Sequence, residues 1–323
     1  MNKKVISLVV PMFNEGAGVR KFLDGAFLSE VLKLQEKYKT EVILVNDGSR
    51  DGTVSAIEEC ELKKKTETKL ISFSRNFGKE IALTAGIEYA TGEAVVMIDA
   101  DGQHPAEAIS EMVQRWERGA KVVTAVRKKN KTKHKLGSAI YYKMMHALGN
   151  KSMVEGAMDF RLIDREVADE YMRFTEHNRI MRGLVDWLGY PQEYLEVKIK
   201  GRTSGAATYD YRKLFGLALD SFVSMSRTPL LLVGALGMFI MFGSLVLGLF
   251  ILVQQYILGD PLGLDWSGAV AMSVFISFLV GIVLVSQAVM ALYISQIHTE
   301  AKNRPLFIID RDKSFGIEEK KRR

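Results

Sequence analysis

The 323-residue sequence contains one cysteine, Cys60, so no disulfide can close within the chain, and a lone thiol suits a reducing compartment. Two long stretches lack charge altogether: Leu230 to Val253, 24 residues, and Ser267 to Ser295. As a helix the first would run roughly 36 Å, against a bilayer hydrocarbon core of about 30 Å, and both are predicted to span a membrane rather than to be buried core helices. The opening MNKKVISLVVP has only a short apolar run before Pro11 and no small-residue cleavage site. No signal peptide is therefore expected, and residues 1 to about 228 are expected to stay on the side where they are made. His104, His134, His146, His177 and His298 have no metal-ligand spacing. Gly16-Ala17-Gly18 lacks the third glycine and the later acid of a redox dinucleotide fingerprint. No zinc spacing or RNA-binding signature accompanies the net charge of +6, which argues against a nucleic-acid partner.

The positive charge gathers around the apolar stretches, as it would beside anionic headgroups or a phosphorylated lipid. Gln254 to Trp266 holds no Lys or Arg, whereas Arg212, Lys213 and Arg227 precede the first stretch, and Lys302, Arg304, Arg311 and a terminal KKRR follow the second. The positive-inside rule predicts a cell-membrane protein with two spans and both ends cytoplasmic. Apolar positions Tyr211, Phe215, Ala218, Phe222 and Met225 recur at spacings of four and three, predicting an amphipathic helix in the membrane interface. Four parts follow: a cytoplasmic domain over 1–208, the interfacial helix over 209–228, a two-helix transmembrane hairpin over 229–296, and a basic cytoplasmic tail over 297–323.

The first 126 residues alternate β-branched runs with helical patterns. ISLVVP, EVILVND, KLISFS, EAVVMID and KVVTAV read as strands, and Lys79 to Ala90 and Pro105 to Glu117 read as helices between them. The alternation predicts an α/β fold, a mostly parallel sheet with helices on both faces. DFRLID, Asp159 to Asp164, looks like an added strand, Asn178 to Leu188 looks helical, and Arg127 to Lys135 is a basic loop with a helix from Leu136 to about Leu148 after it. In such sheets ligands bind beyond the carboxyl ends of the strands. Phe13-Asn14-Glu15, Asn46-Asp47-Gly48-Ser49, Arg75-Asn76-Phe77-Gly78-Lys79 and Asp99-Ala100-Asp101 all fall there. An Asp-x-Asp at a strand end can offer hard oxygen ligands to Mg²⁺ or Mn²⁺ bridging to substrate phosphates, or it can merely make an Asp-Gly turn.

PMFNE at 11 to 15, NDGSRDGT at 46 to 53, FSRNFGKE at 73 to 80, DADGQHP at 99 to 105 and DFRLIDR at 159 to 165 resemble the inverting GT-A glycosyltransferases of family 2. The two apolar stretches and GRTSG at 201 to 205 make the chain most similar to the polyprenyl-phosphate glycosyltransferases, a group that includes dolichol-phosphate mannose synthases and bacterial undecaprenyl-phosphate sugar transferases. The resemblance covers essentially the whole chain and implies a GT-A, Rossmann-like sheet. It implies that Pro11, Phe13, Glu15 and Asp47 hold the nucleotide base and ribose, Asp99 the nucleotide side, and Asp101 with Gln103 the metal ion and diphosphate. Asp159 matches the position assigned as base in such enzymes, and Arg127, Arg202 and Ser204 would bind the acceptor phosphate.

What the resemblance implies for function is transfer of a hexose or N-acetylhexosamine, glucose or N-acetylglucosamine foremost, from a UDP-sugar to undecaprenyl phosphate on the cytoplasmic leaflet. A flippase and a second glycosyltransferase would then use the product to modify a wall polymer or surface polysaccharide, and homo-oligomers through the C-terminal helices are implied as well. A GDP-mannose-dependent polyprenyl-phosphate mannosyltransferase is the alternative, followed by a non-catalytic membrane-anchored nucleotide-binding scaffold. A processive polysaccharide synthase would carry Gln-x-x-Arg-Trp and more spans, and Gln114-Arg115-Trp116 lacks the intervening residues.

Chemistry qualifies the base. A lipid monophosphate has a second pKa near about 6, so most of it is already ionised at neutral pH, and Asp159 is read as orienting more than abstracting. Alternatively Asp159 is a salt-bridge partner of Arg161 or Arg165. His177 and Arg179 are read as approaching the acceptor. Two departures from the family pattern stand out: Gly205-Ala206-Ala207-Thr208-Tyr209 lacks a Ser-Lys pair before the tyrosine, and Gly102 replaces a common leucine, which is expected to loosen the turn.

Overall fold

The computed structural model describes residues 3–16, 18–127, 156–177, 179–198 and 268–317, with positions 246, 253 and 257. Seven strands form one sheet: β1 (Val5–Met12), β2 (Lys39–Asn46), β3 (Glu67–Ser72), β4 (Ala94–Met97), β5 (Val122–Arg127), β6 (Ala157–Asp164) and β7 (Gln192–Val197), in the order β3-β2-β1-β4-β6-β5-β7. β6 runs antiparallel to both neighbours, and every other pairing is parallel. The helices are α1 (Gly18–Phe22), α2 (Leu28–Gln35), α3 (Thr53–Glu58), α4 (Glu61–Lys65), α5 (Lys79–Tyr89), α6 (Ala108–Glu117), α7 (Arg165–Met172), α8 (Met181–Trp187) and α9 (Gly268–Ala301). The five N-terminal strands and DFRLID appear where the β-branched runs predict them. β7 was not predicted: QEYLEV buries only Leu195 and Val197, so its apolar signal is thin.

The central strands are apolar without interruption because both faces are covered. Successive side chains alternate between two cores. Val42 and Leu44 join Leu8, Val10 and Val96 under α2 and α6, which contribute Val31, Ile109, Met112 and Trp116. Ile43 and Val45 join Val9, Val95 and Met97 under α5, α7 and α8, which contribute Leu83, Tyr171 and Val185. Cys60 is fully buried in the first core, where burial pushes its thiol pKa up, so it packs and does not react.

The chain divides into two compact units, Met1–Ala207 with Arg304–Arg323, and Thr208–Asn303. Residues 304–317 are thus part of the same unit as the sheet. The sequence reading set them apart as a basic tail because their charges are conspicuous, but Phe307, Ile309, Phe315 and Ile317 pack against the two cores. In the second unit α9 forms a 34-residue helix over the second uncharged stretch. Among the described residues no helix is long and apolar enough to cross a membrane, so neither span is established. Nearly all of the first stretch, the interfacial helix, the basic loop beyond Arg127 and the helix expected after it lie outside the described residues.

Candidate active site

The carboxyl ends of β1, β2 and β4 converge with the start of β6. Leaving β1, the chain turns at Asn14, whose left-handed φ of +51° is one that asparagine tolerates. The Asn14 amide donates to Ser49 Oγ at 3.0 Å, and Asn14 Oδ1 accepts from the Arg50 amide at 3.0 Å, lacing the loops after β1 and β2 together. Thr53 Oγ1, at the start of α3, accepts from the Glu15 and Gly16 amides at 3.1 and 3.0 Å. Pro11 is buried near the end of β1, and Phe13 just beyond it is 45% exposed. A ring left half in water at a strand end is a surface on which a base can stack.

Asp47 is turned inward. Its Oδ1 accepts from the Phe77 amide at 2.7 Å, and its Oδ2 from the Gly78 amide at 2.9 Å and Asn76 Nδ2 at 2.8 Å. Burial raises its pKa, against the pull of those two amides. The structure therefore places Asp47 behind the rim, holding the turn that runs into α5. Beside it Gly48, at φ +66°, passes so close to the Arg75 backbone that a Cβ would lie 2.3 Å from the carbonyl carbon, so no side chain fits.

That turn delivers Lys79 to the centre of the site. Its Nζ lies 2.7 Å from Asp99 Oδ1 and 3.0 Å from Asp159 Oδ2, bridging the end of β4 to the start of β6. Arg182 Nη2, from α8, contacts the other oxygen of Asp159 at 2.7 Å. His104 Nε2 reaches Asp99 Oδ2 at 3.3 Å, and its ring packs 5.3 Å from that of Phe160. Burial opposes charge on both carboxylates, yet His104 and Lys79 hold Asp99 below the ordinary range, and Lys79 and Arg182 hold Asp159 well below it. Burial likewise opposes charge on Lys79, but the two carboxylates raise its pKa, so it stays protonated. Glu80 is pushed the other way, upward, first by burial and then by Asp159, and it accepts from the Met181 amide that opens α8 at 2.9 Å.

Asp159 pairs with neither Arg161 nor Arg165, the partners the sequence suggested. Arg165 instead donates to the Ala90 and Gly92 carbonyls and meets Asp169. Arg161 shares the strand face of Asp159 and is 1% exposed. Its Nε and Nη1 have no hydrogen-bond partner among the described residues, and burial lowers its pKa. His177 contacts the Arg304 carbonyl at 2.7 Å, while Arg179 donates to the Glu176 and Phe174 carbonyls beneath the rim. The basic residue of EHNRIMRG that reaches the site is Arg182. Lys79 and Arg182 were the residues sequence reasoning missed: Lys79 stood in a quoted rim cluster, and only the antiparallel insertion of β6 makes it a bridge.

Asp101 lies on the turn after β4, its Oδ1 accepting from the Gln103 amide at 3.0 Å. Gly102 holds that turn with φ +71°, so it forms the turn and does not loosen it. Among the described residues no three His, Cys, Asp or Glu side chains converge as a complete cage for a metal. One carboxylate at a half-open rim suits an ion that takes its remaining ligands from diphosphate and water, as Mg²⁺ or Mn²⁺ does, and Asp101 with Gln103 fits that pattern. Arg127 is exposed at the end of β5, its amide bonded to the Gly156 carbonyl at 3.1 Å. Arg202 and Ser204 lie outside the described residues.

Comparison with known proteins gives this arrangement a context. The family described as glycosyl transferase family 2 matches residues 7–172, the span that contributes every strand of the rim. The uncharacterized glycosyltransferase YkcC of Bacillus subtilis (strain 168) is 38% identical over 98% of this chain and 95% of its own length. The bactoprenol glucosyl transferase of Shigella phage SfV is 34% identical over 95% of this chain and 99% of its own. Glucosyl-3-phosphoglycerate synthase from Mycobacterium tuberculosis, solved with Mn²⁺, UDP and phosphoglyceric acid, superposes with a TM-score of 0.49 at 15% identity, over 69% of this chain and 77% of that one, too distant a likeness to bear on the site.

Proposed function

The chain belongs to glycosyl transferase family 2, and on that premise we propose that it transfers a hexose or N-acetylhexosamine from a UDP-sugar to undecaprenyl phosphate at the cytoplasmic leaflet. A lipid acceptor is supported by full-length relatives named as bactoprenol glucosyl transferases. The observation that carries the chemistry is the bridge of Lys79 between Asp99 and Asp159, with Arg182 behind it and Asp101 beside it on the turn.

The reaction is one displacement. An acceptor phosphate oxygen attacks the anomeric carbon, the bond from that carbon to the diphosphate oxygen breaks, the electron pair leaves with UDP, and the configuration inverts. The nucleophile and the leaving group are both anions, so the obstacle is their mutual repulsion, and fixed positive groups oppose it. Lys79 and Arg182 supply such groups, and buried Arg161 adds a third charge behind them. A divalent ion held by Asp101 and Gln103 would neutralise charge on the departing diphosphate. Lys79 and Arg182 hold the Asp159 carboxyl below the ordinary carboxylate range, and even an ordinary carboxylate is a weak base near pH 7. As a permanent carboxylate it orients Lys79 and Arg182 toward the reacting groups, and the acceptor arrives already ionised.

The path of the chain supports an even number of membrane crossings. Residues before 208 and after 303 belong to the same compact unit, with Phe315 paired to Leu70 of β3 and Ile309 to Phe73 just beyond it. Whatever crosses between them must therefore return to the same side, as a two-span hairpin does. A flippase and a second glycosyltransferase acting on the product, and homo-oligomers, belong to the same reading.

The test is transfer of labelled sugar from a panel of UDP- and GDP-sugars to undecaprenyl phosphate by the purified full-length protein in detergent, with Mg²⁺, with Mn²⁺ and with chelator, and with Asp101→Ala in parallel. A lipid-extractable product from one UDP-sugar, lost with chelator and in the variant, is the expected result. Product from GDP-mannose alone would reassign the donor, and no product from any donor would overturn the proposal.

A further inference from the structure

β3 is an edge strand, and an open edge invites unwanted pairing. Here the C-terminal segment covers it. The Leu70 amide donates to the Phe315 carbonyl at 2.9 Å and the Phe315 amide returns the bond at 3.1 Å; the Asp310 amide donates to the Ser72 carbonyl at 2.8 Å and the Ser74 amide to the Ile308 carbonyl at 2.9 Å. The Ser72 amide is met by Ser314 Oγ at 3.0 Å. The outward amide and carbonyl of Leu70 and of Ser72, and the amide of Ser74, are thereby bonded across some 240 residues of sequence.

Edge cover alone does not explain where the strap places its aromatic side chain. Phe307 stacks on Phe73 with centroids 5.1 Å apart and planes at 20°. Phe73 meets Phe77 edge-on at 5.6 Å and 85°, and the Arg75 guanidinium lies 4.2 Å over the Phe77 ring. Phe77 is the residue whose amide binds Asp47, and two residues on stands Lys79. An unbroken series of ring contacts thus runs from the C-terminal strap to the turn that delivers Lys79 between Asp99 and Asp159. Aromatic pairs of this geometry add attraction beyond simple burial, enough to bias a short turn toward one conformation.

We propose that Phe307 is a positioning residue for the site: by stacking on Phe73 it holds the Arg75–Lys79 turn, and through it Asp47 and Lys79, in the conformation that receives the nucleotide-sugar. The part of this that concerns the donor rests on the function proposed above; the part that concerns the turn does not. Phe307 lies six residues beyond the end of α9, so the segment after the second apolar stretch completes the donor site instead of trailing from it.

The experiment uses the full-length protein in detergent and compares Phe307→Ala, Phe307→Tyr and Ile308→Ala, the last changing a side chain that is 51% exposed on the same strap. Amide hydrogen exchange is read at Phe77 and Gly78, and donor KM and kcat are read separately. Phe307→Ala is expected to speed exchange at Phe77 and Gly78 about tenfold and to raise donor KM by a similar factor with kcat nearly kept, while Phe307→Tyr and Ile308→Ala stay close to the parent. Faster exchange confined to Asp310 and Phe315, with Phe77 and Gly78 unchanged, would overturn the proposal and leave the strap as edge cover. If Phe307→Ala does not fold, Phe307→Leu, which keeps apolar bulk and loses the stack, is judged by the same exchange. A parent protein that uses no nucleotide-sugar would sink the function, while exchange at Phe77 and Gly78 would still decide for or against the turn.

Discussion

Two clusters of carboxylate and lysine sit at opposite ends of the same sheet. Near the amino ends of β1, β2 and β3, Glu41 is 1% exposed, bonded to Lys69 Nζ at 2.6 Å and to the Thr91 amide at 2.6 Å, with Ser7 Oγ and the Gly92 amide completing its shell. At the carboxyl ends Lys79, 41% exposed, bridges Asp99 and Asp159. In both places burial opposes the carboxylate and its partners outweigh burial. The difference is access. Glu41 is enclosed and closes a turn, whereas the rim brings together half-exposed charges from four different elements. Equal chemistry at the two ends therefore has unequal purpose, and the strand ends from which the loops rise decide which is which.

The largest effect that sharpens this contrast falls at the closed end. Glu41→Ala strands Lys69, Ser7 and two amides, and the catalytic unit is expected to lose about 3–5 kcal/mol, read by denaturant unfolding, while activity per folded molecule stays near that of the parent. Loss of activity without loss of stability would reverse the assignment of the two clusters. Next comes Lys79→Met at the open end. It is expected to lower kcat/KM for transfer about 10²–10³-fold, the usual cost of removing one positioned electrostatic group, with stability changed by only about 1 kcal/mol.

Much of this architecture was legible because parallel strands announce themselves: ISLVVP, EVILVND and EAVVMID are apolar on both faces, and the polar clusters after them must lie on one rim. Asp99 and Asp101 fell in one of those clusters by the same logic, whereas Asp159 was singled out only by the resemblance of DFRLIDR to a family motif. What could not be read was pairing. β6 enters antiparallel between β4 and β5, and only that brings Asp159 opposite Lys79. Asp47 carried the same motif signal as Asp99, yet backbone amides of the next loop claim its carboxylate, a contact no spacing encodes. The strap hid for a similar reason. Its apolar residues are spaced among charges, and their partners on β3 lie far away in sequence.

A smaller effect concerns pH. The folded pKa values of Asp99 and Asp159 are depressed, so the stability these carboxylates contribute is fully present above their unfolded pKa of about 4 and is lost as pH falls through the lower folded values. Neither group titrates near neutrality. The acid limb of the transfer rate is therefore expected near pH 6, from the second ionisation of the acceptor phosphate, and is expected to persist in the residual activity of Asp159→Asn. An acid limb that disappears in that variant would make Asp159 the base.

The smallest effect belongs to the rim alone. Gly102 holds φ +71° in the turn that carries Asp101, a conformation that costs a residue with a Cβ about 1–2 kcal/mol. Gly102→Leu puts a branched side chain into this turn, so if the turn could relax to suit a side chain, the substitution would be nearly neutral. The turn is anchored at both ends, by the bond from the Gln103 amide to Asp101 behind it and by the packing of His104 on Phe160 ahead. Relaxation would have to break one of them. Gly102→Leu is therefore expected to lower stability by about 1 kcal/mol and to shift the metal concentration for half-maximal transfer upward several-fold, because Asp101 moves with the turn. A variant with parental stability and an unchanged metal requirement would show that the turn tolerates a second conformation, and that the rim is held by Lys79 and His104 rather than by its own backbone.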